Sequence, residues 1–153
     1  MKGFDESWYR EYQRRQADHT APEPPRTGEY IFRLNKPLML PNRKKGLHWA
    51  EQSKLIHALS QEVAQIIGPG PTQPIQKAHI TVWRYGIREC DADNLTASLK
   101  PLLDVLQPRS QRHPYGLGII AGDDPAHLTH EIFHVQCKAR AEQRTVVNIR
   151  EIK

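Results

Sequence analysis

Apolar residues recur along this chain with two periods, and those periods predict the order of its elements. In residues 4–16 the aromatic side chains Phe4, Trp8, Tyr9 and Tyr12 fall at i, i+4, i+5 and i+8, one stripe of a short helix, with Glu11, Arg14 and Arg15 off it. Ala21-Pro-Glu-Pro-Pro-Arg-Thr-Gly28 then breaks regular structure and reads as a linker. Glu29–Leu34 predicts a first strand, followed by a loop from Asn35 to Gly46. From Trp49 to Ile67 the pattern is helical, with Ile56, Leu59, Val63 and Ile66 aligned, Leu55 and Ile67 beside them, and Gly68-Pro-Gly-Pro71 as the stop. Ile75–Tyr85 alternates Ala78, Ile80 and Val82 with His79, Thr81 and Trp83, as a strand does. Asp93–Leu106 turns helical again through Leu95, Leu99, Leu102, Leu103 and Leu106, and Pro101 predicts a kink near Ala97 or a local break. After a polar loop, Gln107–Gly116, the run Leu117–Ala121 predicts a short strand. Thr129–Lys138 and Thr145–Ile152 read as the two arms of a hairpin. The order β-α-β-α-β-β-β argues for an α+β fold, a small mixed β-sheet with two main helices packed on it, over residues 29–153. Residues 1–28 form an N-terminal helical arm and Pro-rich linker ahead of that domain.

Composition narrows the class without deciding it. A chain of 153 residues, 38% hydrophobic and 25% charged, suits one domain with a real core. Lys and Arg total 22 against 17 Asp and Glu, and the resulting charge of +5 suits a polyanionic partner but does not require one. The two cysteines, Cys90 and Cys137, have neither metal nor redox spacing and read as reduced thiols. No apolar run approaches the ~18 residues of a membrane helix, and Met1–Arg15 lacks the apolar core of a signal peptide. The expectation is a cytoplasmic protein with no membrane partner.

Candidate chemistry concentrates in Glu89-Cys-Asp91-Ala-Asp93-Asn94-Leu95. In extended backbone, residues two apart point to one side, so Asp91 and Asp93 can converge where a strand gives way to a helix. A hard cation such as Mg²⁺ takes oxygen ligands and retains waters, so two or three carboxylates suffice to hold it. A second acidic element, Asp123-Asp124, follows Leu117–Ala121; if the strands ahead of the two elements are neighbours, Asp124 comes near the first pair. Such a site activates water and neutralises charge on a leaving phosphate oxygen. The same residues also suit plain structural duties, Asp93 as a helix N-cap and Asp123-Asp124-Pro125 as a turn.

The run Asp91-Ala-Asp93-Asn94-Leu95, then a leucine-rich helix, then Gly-Ile-Ile-Ala-Gly-Asp123-Asp124, resembles the RusA family of Holliday junction resolvases, many of them phage-encoded. The likeness covers residues 75–137, with a looser agreement of element order over 29–67. It implies a RusA-like fold, a homodimer with two metal sites, and cleavage of one strand of a four-way junction at each, in DNA recombination and repair within a bacterial or phage-infected host cell. It also implies Mg²⁺, or Mn²⁺ in its place, on Asp91, Asp93 and Asp124, with Asp123 an adjacent candidate ligand. The loop Leu38-Met-Leu-Pro41-Asn42-Arg43 falls where the family has a Pro- and Asn-containing loop that contacts DNA. RusA itself has a lysine four residues after its second Asp, where this chain has Ala97; Lys100, about one turn later, is the candidate replacement among the catalytic residues.

Two further patterns bear on function. His130-Glu131-Ile-Phe-His134 matches the zinc-peptidase signature, which needs a helix to bring both imidazoles to one ion. Thr129, Ile132, Phe133 and Val135 make the segment a strand, where the two histidines stand ~13 Å apart. The match reads as coincidence. Arg43-Lys44-Lys45 is the densest basic cluster; with Asn42, Arg88, Arg109 and Arg112 it supplies candidate DNA contacts, and Lys100 a further one, all aimed at phosphates rather than bases. The expected activity is phosphodiester hydrolysis on branched DNA. The alternative is a DNA-junction-binding protein on the same scaffold without catalysis, which Ala97 favours.

Overall fold

Strand formation follows the β-branched and aromatic runs, and a computed structural model describes it over residues 29–41 and 48–152. The strands are β1 (Glu29–Leu34), β2 (Ala78–Gly86), β3 (Leu128–Gln136) and β4 (Arg144–Glu151); the helices are α1 (Trp49–Ile67), α2 (Ala92–Ala97) and α3 (Lys100–Leu106), with a short 3-10 turn at Arg140–Glu142. The sheet order is β1-β4-β2-β3, so the last strand in the chain is inserted between the first and the second. β4 is antiparallel to both neighbours, whereas β2 and β3 run parallel, which makes the sheet mixed. The fold is α+β, with one small mixed sheet and its helices packed on one side.

The hairpin expected for the last two strands does not form. Residues 137–143 carry the chain over the end of β2, and β3 becomes an edge. Burial explains the order: Thr145, Val146, Val147 and Ile149 of β4 are all buried, as a central strand requires, while Thr129, His130 and Glu131 of β3 are exposed. Leu117–Ala121 is not a strand either. It makes a single parallel bridge, Ile75 to Ile120, and spends its other amides on α3: Leu117 N–H donates to Val105 O (2.8 Å) and Ile119 N–H to Leu106 O (2.8 Å). The orphan carbonyls at the helix end are thus capped by the segment that was expected to join the sheet. Gly116 permits the close return, since a Cβ there would lie 2.4 Å from Gln107 O.

Pro101 acts as its position predicts. The second helical segment divides at Ser98–Leu99, and α3 begins with Pro101 in its first turn, where a missing N–H costs nothing. Phe32 and Leu34 of β1, Ala78, Ile80 and Val82 of β2, and Val147 and Ile149 of β4 face the helices and pack with Val63, Leu99, Leu102, Leu103 and Leu106 in the main core. Helix α1 contributes Ile56, Leu59, Val63 and Ile67, while Leu55 and Ile66, expected on that stripe or beside it, are 42% and 41% exposed. The other sheet face carries a smaller cluster of Trp83, Tyr85 and Val146 with Phe133, Val135 and Cys137, and the Arg144 guanidinium lies 3.7 Å over the Tyr85 ring. No helix among the described residues is long and apolar enough to cross a membrane. The N-terminal arm and linker, 1–28, lie outside the described residues.

Candidate functional site

Asp91, not Asp93, is the N-cap of α2. Its backbone is extended (φ −72°, ψ 161°); Oδ1 accepts from Asn94 N–H at 2.8 Å and Oδ2 from the Asn94 side-chain amide at 2.9 Å. Asp93 stands in the first helical turn, where a carboxylate meets the positive end of the helix dipole. The backbone has therefore turned helical by Ala92, and the two acids are not alternate residues of a strand. Both are exposed.

Asp124 opens the turn into β3. Its Oδ1 accepts from Ala126 N–H at 3.0 Å, and its Oδ2 lies 2.8 Å from His127 Nδ1. The histidine hydrogen bond, aided by the Ala126 amide and only partly opposed by desolvation, lowers the carboxyl pKa, so Asp124 is ionised at neutral pH. Asp123 faces the other way. Its Oδ2 is 3.3 Å from Lys100 Nζ, which also lies 2.8 Å from Asp104 Oδ1 one helical turn on. The hydrogen bond to Asp104 chiefly, and then that to Asp123, raise the Lys100 pKa against the lesser pull of desolvation. Lys100 is consequently a fixed cation and no proton acceptor.

Topology separates the two acidic elements. Ala78 pairs with Leu128 and Gly86 with Gln136, so β2 and β3 start together and end together. Asp91 follows the finish of this pair and Asp123-Asp124 precedes its start, and nine-residue strands at ~3.3 Å per residue are long. Helices α2 and α3 carry the chain back across the sheet, with the result that Lys100 rather than Asp91 or Asp93 meets Asp123. The bridge at Ile120 lies beside Ile75, ahead of β2, which is why the expected convergence of strand ends fails. Among the described residues, no group of three or more His, Cys, Asp or Glu is arranged to hold a metal ion. Asp91, Asp93 and Asp124 have the oxygen donors Mg²⁺ prefers, but in this arrangement they do not fit one shared ion.

The finish of the β2–β3 pair has an unforeseen organiser. Arg84 is buried, its Nε donates to Leu38 O at 2.7 Å, and one terminal nitrogen lies 3.5 Å from His134 Nδ1. Thr145 clamps the same segment: its hydroxyl donates to Lys36 O (2.9 Å) and accepts from Leu38 N–H (3.0 Å). Together they fix the stem of the loop that follows β1. A Cβ at Gly86 would come within 2.7 Å of the Arg84 guanidinium, so any side chain there would push the end of the arginine aside. Desolvation first, and the Arg84 charge second, lower the pKa of His134. The Cys90 thiol is pushed up by burial, which keeps it protonated.

His130 and His134 both lie within β3, so the HExxH string is on a strand as its β-formers predict. Arg88, Arg109 and Arg112 are exposed on loops. Asn42, Arg43, Lys44 and Lys45 lie outside the described residues. Three side chains organise the candidate residues or the loop stem without standing out for it in the sequence: Arg84, Asp104 and His127. Asp104 was accessible from its i+4 spacing to Lys100, and His127 from its i+3 spacing to Asp124. Arg84 gave no signal, because a lone arginine in an alternating strand says nothing about what its end will meet.

The chain matches no protein-family model and no curated protein.

Proposed function

We propose that this chain is a metal-dependent, structure-selective endodeoxyribonuclease of the RusA type, acting as a homodimer on Holliday junctions or other branched DNA. The observation that carries the proposal is the contact between Lys100 and Asp123, which joins the helical segment after Asp-x-Asp-Asn-Leu to the Asp-Asp pair. The contact ties the helix that follows the first acidic segment to the second, while Asp91 and Asp93 themselves stand apart from that turn. Asp91, Asp93 and Asp124 supply exposed carboxylates, and Lys100 a permanent positive charge suited to a phosphate oxygen. Mg²⁺, with Mn²⁺ as a substitute, is the proposed cofactor. Arg88, Arg109 and Arg112 are proposed phosphate contacts, joined by the basic loop 42–45.

The proposal requires the Asp91–Asp93 segment and the Asp123–Asp124 turn to approach one another when ion and DNA bind. Incubation of the protein with a synthetic four-way junction and Mg²⁺ or Mn²⁺ tests it, with symmetrical nicks as the expected product. Absence of nicking with either ion overturns it. So does a manganese complex on DNA in which the two acidic segments stay more than about 10 Å apart, a gap no single ion spans.

A second function has its own support: junction binding without cleavage. Asp91 is engaged as a helix cap, Asp124 in a turn with His127, and Ala97 stands where the family lysine would be. Tight junction binding with no nicking in the same assay selects this alternative.

A further inference from the structure

Trp49 is 74% exposed, far more than the other large apolar side chains at the surface among the described residues. A lone exposed apolar residue is ordinary, but this indole is the rim of a cavity of about 220 Å³, whose walls include Ile56, Asp104, Arg112, His113 and Tyr115. The floor is rigid. Tyr115 stacks on His57 with ring centres 4.4 Å apart and planes within 10°, and its carbonyl accepts from the buried Ser60 hydroxyl at 2.8 Å. The acid in the wall, Asp104, is paired at 2.8 Å with Lys100, which also reaches Asp123. Arg112 adds an exposed positive charge at the mouth. A flat aromatic face, a preformed slot and a cation at its edge suit a planar heterocycle that carries a phosphate.

We propose that this cavity receives an unpaired nucleobase of the DNA substrate, with Trp49 stacking on the base and Arg112 meeting an adjoining phosphate. The inference rests on the DNA-directed function proposed above: Asp104 links the cavity wall, through Lys100, to Asp123, so a strand passing the acidic turn runs beside the slot. Branched DNA exposes bases at its crossover, and base–aromatic stacking tolerates any sequence because every base has a π-face. Trp49 is then a binding residue that senses strand opening, separate from the groups that hold the ion.

Fluorescence anisotropy of labelled oligonucleotides, in EDTA so that nothing is cut, tests the proposal on the full chain. Three probes are used: a single strand, the same strand with one abasic position, and the fully paired duplex. Trp49→Ala should weaken single-strand binding about fivefold or more, leave duplex binding unchanged, and be largely rescued in Trp49→Phe. The abasic position should weaken binding by the wild type and not by Trp49→Ala. Arg112→Ala should lower the salt slope for the single strand by about 0.7. Wild-type affinity retained by Trp49→Ala on the single strand overturns the inference, as does an equal loss on single strand and duplex, or an abasic penalty of the same size in both proteins. Wild-type protein that binds none of the probes, nor a four-way junction, overturns the DNA-directed function as well, which separates the two failures.

Discussion

Replacing Asp91 separates the two duties assigned to its carboxylate. As N-cap it satisfies Asn94 N–H at 2.8 Å and holds the Asn94 side chain at 2.9 Å. Asp91→Ala removes both bonds; loss of a cap acceptor costs about 1 kcal/mol, and the second bond adds little because the group is exposed. In a chain of this size 1 kcal/mol lowers the melting temperature by about 3 °C. Asp91→Asn behaves differently. Its amide oxygen can still accept from Asn94 N–H, while its NH₂ would face the Asn94 amide until that side chain flips, so the loss stays within about 0.5 kcal/mol. The charge is gone in both variants. If Asp91 holds an ion, Asp91→Asn should therefore melt within about 1.5 °C of the parent yet nick a four-way junction at least about 100-fold more slowly, since changes even in groups one shell further out cost 10–100-fold. Calorimetry and a gel assay on the same preparations read both effects. An Asp91→Asn protein that cuts at the parental rate leaves Asp91 as a cap alone and refutes its role as a ligand. An Asp91→Ala protein that melts with the parent refutes the cap.

Three more outcomes follow from the same geometry. Lys100→Met should lower the melting temperature by no more than about 2 °C, because its ion pairs are largely solvated and surface pairs contribute little, while nicking falls at least about tenfold from loss of the fixed cation; normal nicking would remove Lys100 from the site. Leu102→Ala, at a fully buried position of α3, should cost 2–5 kcal/mol in urea denaturation, unlike Leu55→Ala on the exposed side of α1, which should change stability little. His79 and His134 both have pKa values lowered chiefly by desolvation, so the unfolded chain takes up their protons first as pH falls. Their contribution is complete above the ordinary histidine pKa of about 6.5 and is lost below it; the melting temperature should be lower at pH 5.5 than at pH 7.5, with a smaller drop in His134→Gln.

Local pattern made most elements legible and left their arrangement hidden. The bounds of β1 and α1 follow from alternation and a 3.6 period, and Pro101 announces the break between α2 and α3, because each depends only on neighbours in sequence. The order β1-β4-β2-β3 depends on partners far away, and period two looks the same whichever strand lies alongside. A usable clue was present: Thr145-Val-Val-Asn-Ile149 is more continuously apolar than Thr129-His-Glu-Ile-Phe133, as befits a centre strand beside an edge one. The same limit governs the site. Asp91 and Asp93 were visible as a pair, but which one caps the helix depends on where the backbone turns, one residue earlier than the leucine pattern indicated. Lys100 stands two helical turns beyond Asp93 in sequence, yet its partners are Asp104 and Asp123.

The position of β4 ties the architecture to the order in which the chain is made. Residues 29–34 have no strand to lie against, among the described elements, until residues 145–150 have been synthesised. Of the four strands described, β4 is made last, so β1 lacks a partner in the sheet until β4 joins it to β2. Closing so wide a loop is slow, and a chain cut before residue 144 would lack an inner strand of the sheet rather than its margin.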